Sequence, residues 1–130
     1  MEIEDDQMCF ACGTKNPDGL QLRFQLEGDN EIRTEYIVPK KFQGFKDIVH
    51  GGIMATILDE VMVNLFYLKG IKVITARLDV RLKKPAKVGE RLSFRGWFIR
   101  EAGRTVDAQA EVRNQEGIVV AEAKGLLFKV

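Results

Sequence analysis

The sequence holds one histidine, one tryptophan, two cysteines and three prolines in 130 residues, and each scarcity removes a class of protein. Two cysteines cannot build the disulfide framework of a small secreted domain. Cys9 and Cys12 do form C-x-x-C, a spacing used by zinc knuckles and redox pairs. Zinc normally takes four ligands, however, and no second cysteine pair follows. A thioredoxin-like pair needs a βαβ context that is missing here. The expectation is a compact N-terminal turn with two reduced thiols, no metal and no cofactor. Charge of one sign is also lacking: 20 Lys and Arg against 19 Asp and Glu leave a formal net charge of +1. No overall field therefore draws nucleic acid or an anionic membrane. No apolar run reads as a membrane span, because Ile53–Leu68 is short and interrupted by Asp59, Glu60 and Asn64. The opening Met1-Glu2-Ile3-Glu4-Asp5-Asp6 is acidic and unlike a signal peptide. With 45% hydrophobic and 30% charged residues, one globular cytoplasmic domain over residues 1–130 is expected.

What is present is mostly alternation. Cys12 to Gly19 is turn chemistry. Leu20, Leu22, Phe24 and Leu26 then alternate with polar residues as a half-buried strand. Gly28-Asp29-Asn30 turns into a second strand carrying Ile32, Thr34, Tyr36 and Val38, which Pro39 ends. Lys40 to Val49 reads as a packed loop holding Phe42, Gln43, Gly44 and Phe45. A long apolar helix follows, stopped by Lys69-Gly70. From Val73 to Lys83, Ala76, Leu78, Val80 and Leu82 share one face. Arg91 to Arg100 is a further strand with Gly96 as a candidate bulge. Thr105 to Arg113 places Val106, Ala108, Ala110 and Val112 inward, and Ile118 to Lys129 is the last strand. One helix and about six strands, the last four or so in a meander, predict an α+β fold. A helix apolar around most of its circumference must be enclosed, and a curved antiparallel sheet can wrap it.

Ile48 to Gly70 is the segment that needs explaining. It opens on the sole histidine, His50, with Gly51 and Gly52, and carries Asp59 and Glu60 in its apolar middle. An acid is costly to bury unless it is paired or does something. Each feature has a plain reading alone: a loop histidine, a turn, a partly exposed helix acid. Their joint occurrence at this spacing favours a site.

The string His50-Gly51-Gly52-Ile53-Met54-Ala55-Thr56-Ile57-Leu58-Asp59-Glu60 resembles the hotdog-fold thioesterase superfamily. The similarity points to its phenylacetic-acid-degradation-type, 4-hydroxybenzoyl-CoA-thioesterase-like branch. Supporting it are Thr75, the run Arg77-Leu78-Asp79-Val80-Arg81-Leu82-Lys83-Lys84-Pro85-Ala86, and Cys9-Phe10-x-Cys12-Gly13 with Asn16-Pro17 and Gly19-Leu20. The resemblance spans the chain and implies a hotdog fold and hydrolysis of an acyl-CoA thioester to free acid and coenzyme A. One position departs: where the family often has asparagine, six residues before the histidine, this chain has Gly44. Gln43 is the amide nearest in sequence.

Thioester hydrolysis needs a group that activates water or attacks, and donors where the oxyanion forms. The first turn of a helix offers unpaired N–H groups at the positive end of its dipole, and glycine permits close approach. Gly51 and Gly52 suit that task, with the Gly52 N–H as the donor and His50 orienting the substrate or shaping the oxyanion site. Asp59 is the nucleophile or general base, and Thr75 holds the water or the aspartate. Seven residues at 1.5 Å each put Gly52 and Asp59 roughly 10 Å apart along one helix. That is too far to serve one carbonyl. An antiparallel helix from a second subunit would bring the two together, so a homodimer is the minimal unit, assembling as a dimer of dimers. Glu60 points about 100° away and reads as a surface or interface salt bridge. Arg81, Lys83, Lys84 and Lys87 are candidates for the coenzyme A phosphates, although a solvated charged face has the same pattern. Phe42, Phe45 and Phe66 are the candidate acyl-pocket aromatics. Two alternatives stay open: a non-catalytic acyl-CoA-binding sensor, expected to need a DNA-binding segment not seen in this sequence, and a hotdog-fold hydratase or dehydratase.

Overall fold

Apolar–polar alternation produces six strands in the computed structural model, which describes residues 2–130; Met1, of the acidic opening, lies outside them. The strands are β1 (Gln25–Glu27), β2 (Glu31–Ile37), β3 (Val73–Leu82), β4 (Arg91–Ala102), β5 (Thr105–Arg113) and β6 (Val119–Lys129). One helix, α1 (Gly51–Tyr67), follows a short 3-10 turn at Lys40–Phe42. The strands form one sheet in the order β1-β2-β4-β5-β6-β3, antiparallel at every pairing. The expected architecture is present. Only β4, β5 and β6 form a meander, however, not the last four strands. Helix α1 carries the chain across the sheet, so β3 enters at the edge beside β6 rather than next to β4. Among the described residues no helix is long and apolar enough to cross a membrane.

Helix α1 starts and stops where its chemistry allows. His50 is the N-cap. Gly70, at φ +82, supplies the left-handed residue just past the end. Its buried face is Met54, Ile57, Leu58, Val61, Met62, Leu65 and Phe66, and Asn64 is one of two buried polar residues in the core. The sheet meets this face with small side chains at its centre, Ala108, Ala110, Ala121 and Ala123, and with larger ones such as Phe94 and Leu127 around them. Gly96 is not a bulge: it pairs in register with Ile32 on one side and Ala110 on the other. A Cβ there would lie 2.6 Å from Val61 Cγ1, so glycine is what lets the helix approach. The irregularities fall instead between Thr75 and Arg77, between Phe98 and Arg100, and between Val112 and Arg113.

Two further expectations change. Leu20, Leu22 and Phe24 alternate in burial as anticipated, but this stretch pairs elsewhere. The Leu20 N–H donates to the Phe10 carbonyl and the Leu22 N–H to the Ala11 carbonyl, at 2.8 and 3.0 Å. Gln21 sits at φ +61, so only three residues join the sheet. The loop after Pro39 is pinned by backbone bridges between Gln43 and Val49 and between Ile48 and Lys87. Phe42 packs against the core, whereas Phe45 is 88% exposed and packs nothing. The register shift between Thr75 and Arg77 interrupts the alternation expected to put Ala76 on one face with Leu78, Val80 and Leu82.

Gly96→Ala should lower stability by about 1–3 kcal/mol, the usual cost of overpacking a core, read by denaturant titration. Adding Val61→Ala should make room for the new methyl, leaving the double variant less destabilised than the sum of the two singles.

Candidate active site

The N-terminus of α1 is capped by its own histidine. His50 leaves the loop at φ −59 and ψ 132, and its Nδ1 accepts the Gly52 N–H at 2.9 Å. That bond defines the tautomer, with the imidazole proton on Nε2. The N–H groups of Ile53 and Met54 donate to the His50 carbonyl at 3.0 and 3.1 Å. Among the described residues, Gly51 alone of the first turn has an N–H without an acceptor. This corrects the expectation that Gly52 supplies the free donor: the Gly52 donor is spent on His50. Gly44 packs beneath the histidine, where a Cβ would meet His50 Cα at 3.4 Å. Gln43 lies beside the cap; its Oε1 accepts from Lys40 Nζ at 3.1 Å and the Asp47 N–H at 2.9 Å, which fixes the side chain by its oxygen. A groove of about 350 Å³ runs past this cap, lined by Lys41, Phe42, Gln43, His50, Gly52, Ile53 and Thr56.

Asp59 lies on the same helix face as Gly52, as do Thr56 and Val63, at offsets of four, seven and eleven residues. Its carboxylate is half-buried, and Thr75 Oγ1 donates to Oδ1 at 2.6 Å. Thr75 reaches it because its register partner on β6 is the buried Leu127, which faces the helix. Burial pushes the Asp59 carboxyl above its ordinary value, and the Thr75 hydrogen bond partly opposes that shift. A desolvated carboxylate held by one neutral donor is a stronger base than one in water. Thr56, between the two ends of this face, was not picked out from the sequence. Its position four residues after Gly52 is the signal that would have found it, and its Oγ1 donates to the Gly52 carbonyl at 2.8 Å.

The remaining candidates divide. Leu82 Cδ1 lies 2.9 Å from where a Gly51 Cβ would sit, so Arg81, Lys83 and Lys84 stand at the end of the sheet where α1 begins. All three are exposed, and Lys83 pairs with Glu122 at 3.3 Å. Phe66 is buried edge-on against Phe98, with centroids 6.3 Å apart, and lines no pocket near Asp59. Phe42 lines the groove, while Phe45 points into solvent. Among the described residues of the single chain, Glu60 does not form the surface salt bridge that was one of its two expected roles. It turns to the other flank of α1, where it accepts from Cys9 Sγ at 3.8 Å and from Asn64 Nδ2 at 3.0 Å. Burial, with the charge of Asp59 adding to it, raises its carboxyl pKa.

Comparison with known proteins identifies the fold and the family. No curated protein matches the sequence. Among solved structures, a thioesterase superfamily protein superposes with a TM-score of 0.83 at 26% identity, over 89% of this chain and 60% of that one. The present chain thus spans less than two thirds of that relative. A Streptococcus mutans protein bound to acetyl-CoA gives 0.78 at 20% identity, covering 84% of this chain and 88% of its own. The E. coli PaaI protein from the phenylacetic acid degradation operon gives 0.78 at 16% identity, covering 84% and 83%. These last two likenesses are of fold alone. The model of the thioesterase superfamily matches residues 46–121, which contain the capped glycine turn, all of α1 and Thr75. That stretch is more than half of the chain, and the protein belongs to the thioesterase superfamily.

Proposed function

We propose that the protein hydrolyses an acyl-CoA thioester, with Asp59 of one subunit acting on a carbonyl polarised by the helix N-terminus of another. The observation that carries this reading is the single face of α1. It presents an unpaired Gly51 N–H at its positive end and a desolvated, threonine-held carboxylate seven residues beyond Gly52. Gly51 and Asp59, eight residues apart, lie roughly 12 Å from each other along one helix, too far to meet one substrate carbon. An antiparallel copy of α1 brings each acid opposite the other's glycine turn. Strand β3 supports such a pairing. It is a ten-residue edge strand with Ile74, Leu78 and Leu82 exposed, and an edge of that length is normally covered.

In the proposed reaction the thioester oxygen accepts from the Gly51 N–H, where the helix dipole favours the negative charge as it develops. His50, holding the Gly52 N–H, keeps this turn rigid and offers Nε2–H to the groove. Asp59 takes a proton from water as the water attacks and the C–S bond breaks, or attacks the carbonyl itself, expelling the thiolate to form an anhydride that water then hydrolyses. In both routes water supplies the proton of the coenzyme A thiol and the oxygen of the free acid. Thr75 orients the carboxylate. Arg81 and Lys84, exposed at the end of β3 where Leu82 reaches Gly51, are the cations we assign to the phosphates of coenzyme A. Relatives bound to acetyl-CoA and to coenzyme A support that choice of substrate class.

The deciding assay is release of thiol from aryl-, short-chain and long-chain acyl-CoAs; binding of several with hydrolysis of none would favour the sensor reading. Asp59→Ala should abolish turnover. Gly51→Pro tests the donor, since proline is tolerated at the first helical position and removes the N–H; its Cβ would lie 2.9 Å from Leu82 Cδ1, so Gly51→Ala, which adds the same Cβ and keeps the N–H, is its control. The proline variant should lower kcat by about 10²–10³ below that control with little further change in melting temperature. Mixing the two inactive variants as refolded subunits should restore about a quarter of wild-type activity, because half of the dimers would hold one intact site. No recovery from well-folded mixed dimers would rule out the shared site.

Asp59→Asn separates the acid from its burial. A carboxyl whose folded pKa lies above its unfolded one binds more protons when folded, so its contribution to stability declines as pH rises through that range. The variant should therefore melt higher than wild type at pH 7, and the gain should vanish as the pH approaches the ordinary Asp range near 3.8.

A further inference from the structure

Glu60 meets the C-x-x-C segment on the opposite flank from Thr75. Cys9 Sγ, Cys12 Sγ and a Glu60 carboxylate oxygen all lie within 4.8 Å of one another, each on a half-buried side chain. We propose that these three groups are ligands of a site for a thiophilic divalent ion of the zinc class, its fourth position taken by water. The sequence offers only two sulfurs and no reason to look further; the third ligand arrives because α1 passes beneath the N-terminal loop.

Spacing, backbone and support agree. A tetrahedral zinc ion, with Zn–S of about 2.3 Å and Zn–O of about 2.0 Å, needs ligand–ligand edges of about 3.5–3.7 Å. Cys9 Sγ is 3.8 Å from Glu60 Oε1, and side-chain rotation of less than an ångström or so closes the rest. The backbone N–H groups of Ala11 and Cys12 both point at Cys9 Sγ, at 3.4 and 3.5 Å. Donors so placed stabilise a negatively charged sulfur. Gly13 closes the loop by donating to the Cys9 carbonyl at 2.8 Å. A Cβ on Gly13 would lie 2.5 Å from Cys9 N, so the turn that gathers the two sulfurs requires glycine. Asn64, only 6% exposed, donates through Nδ2 to Glu60 Oε2 at 3.0 Å and to the Glu60 carbonyl at 2.9 Å. It fixes one carboxylate oxygen and leaves Oε1 toward the sulfurs, the usual work of an outer-sphere partner.

A cavity of about 180 Å³ adjoins the cluster, lined by Ile3, Asp5, Val63 and Lys72 among others, and has room for the water. Lys72, the one cation on that lining, spends its amine on the Ile3 carbonyl at 2.9 Å. Two thiolates with one carboxylate select a borderline-soft ion over magnesium or calcium. On binding, each thiol passes its proton to solvent as its sulfur–metal bond forms, and nothing is oxidised or reduced.

The full-length protein, kept reduced and stripped with a chelator, should be titrated with Co²⁺. One ion per chain is expected, giving sulfur-to-cobalt charge-transfer absorption and the intense visible bands of four-coordinate cobalt, both bleached by Zn²⁺. Zn²⁺ should raise the melting temperature of wild type. Cys9→Ser and Glu60→Gln, each checked for an unchanged circular dichroism spectrum, should bind at least about tenfold more weakly and lose that thermal shift. Three outcomes overturn the proposal. One is no cobalt bound by the reduced protein. Another is a weak octahedral spectrum without charge transfer, which would mean carboxylates alone. The third is binding that survives Cys9→Ser. None of these readouts depends on thioester hydrolysis.

Discussion

Helix and sheet come together at two points where a strand has no side chain to offer. Gly96 faces Val61, and Gly125 faces Met62, whose Sδ would lie 3.0 Å from an added Cβ. Around them Ala108, Ala110, Ala121 and Ala123 keep the centre of the sheet shallow, while Phe94, Leu92 and Leu127 are among the larger side chains of the same core. Burial of α1 is the main apolar gain available to a chain this size, and it is possible only at this close approach. The curvature of the sheet, the crossing of the chain to the β3 edge and the position of every site residue depend on it.

Because the sheet covers one side of α1, the other side is left half-open, and that strip is where the chemistry sits. Gly52, Thr56, Asp59 and Val63 follow one another along it. The strip is neither solvated nor sealed, which is why the Asp59 carboxyl is desolvated yet reachable. A fully exposed acid would titrate normally, and a sealed one would need a cation. The helix end adds a second constraint. A histidine cap consumes one of the first N–H groups and the His50 carbonyl accepts the next two, so a single donor is left to point outward.

Much of this was legible from residue pattern. The strand Thr105–Arg113 follows from period and punctuation alone, as do the strand expected from Ile118, which starts one residue later, and the helical run expected over Ile53–Leu68, which occupies Gly51–Tyr67, because local rules decide them. Pairing order was not legible, since β3 goes wherever α1 delivers it. Leu20 to Phe24 has strand-like alternation, but its backbone donors found nearer partners in the Cys9–Gly13 loop. Choosing between Gly51 and Gly52 depends on a rotamer of His50, and sequence carries no rotamers. The aspartate with its threonine was legible because the resemblance names both, Asp59 in the helical string and Thr75 on the strand after it. The Glu60–Cys9 contact joins residues far apart in the chain and belongs to no local pattern.

The two adjacent acids show how a helix can house opposite requirements in one turn. A step of about 100° sends Asp59 toward Thr75 and Glu60 toward Asn64 and the cysteines. Each is pushed up by burial, and each is held only by neutral donors, a hydroxyl on one side and an amide and thiols on the other. With no arginine or lysine locked against it, neither carboxylate is neutralised by the fold itself, so each responds strongly to what enters its surroundings. On the Asp59 side, that points to a water or an acyl carbonyl from the open strip. On the Glu60 side, two sulfurs and a small adjoining cavity point to a cation. Asn64 keeps the two environments apart: it is buried at 6% exposure and ties Glu60 down on its own flank, so that the carboxylate does not compete with Asp59 for Thr75.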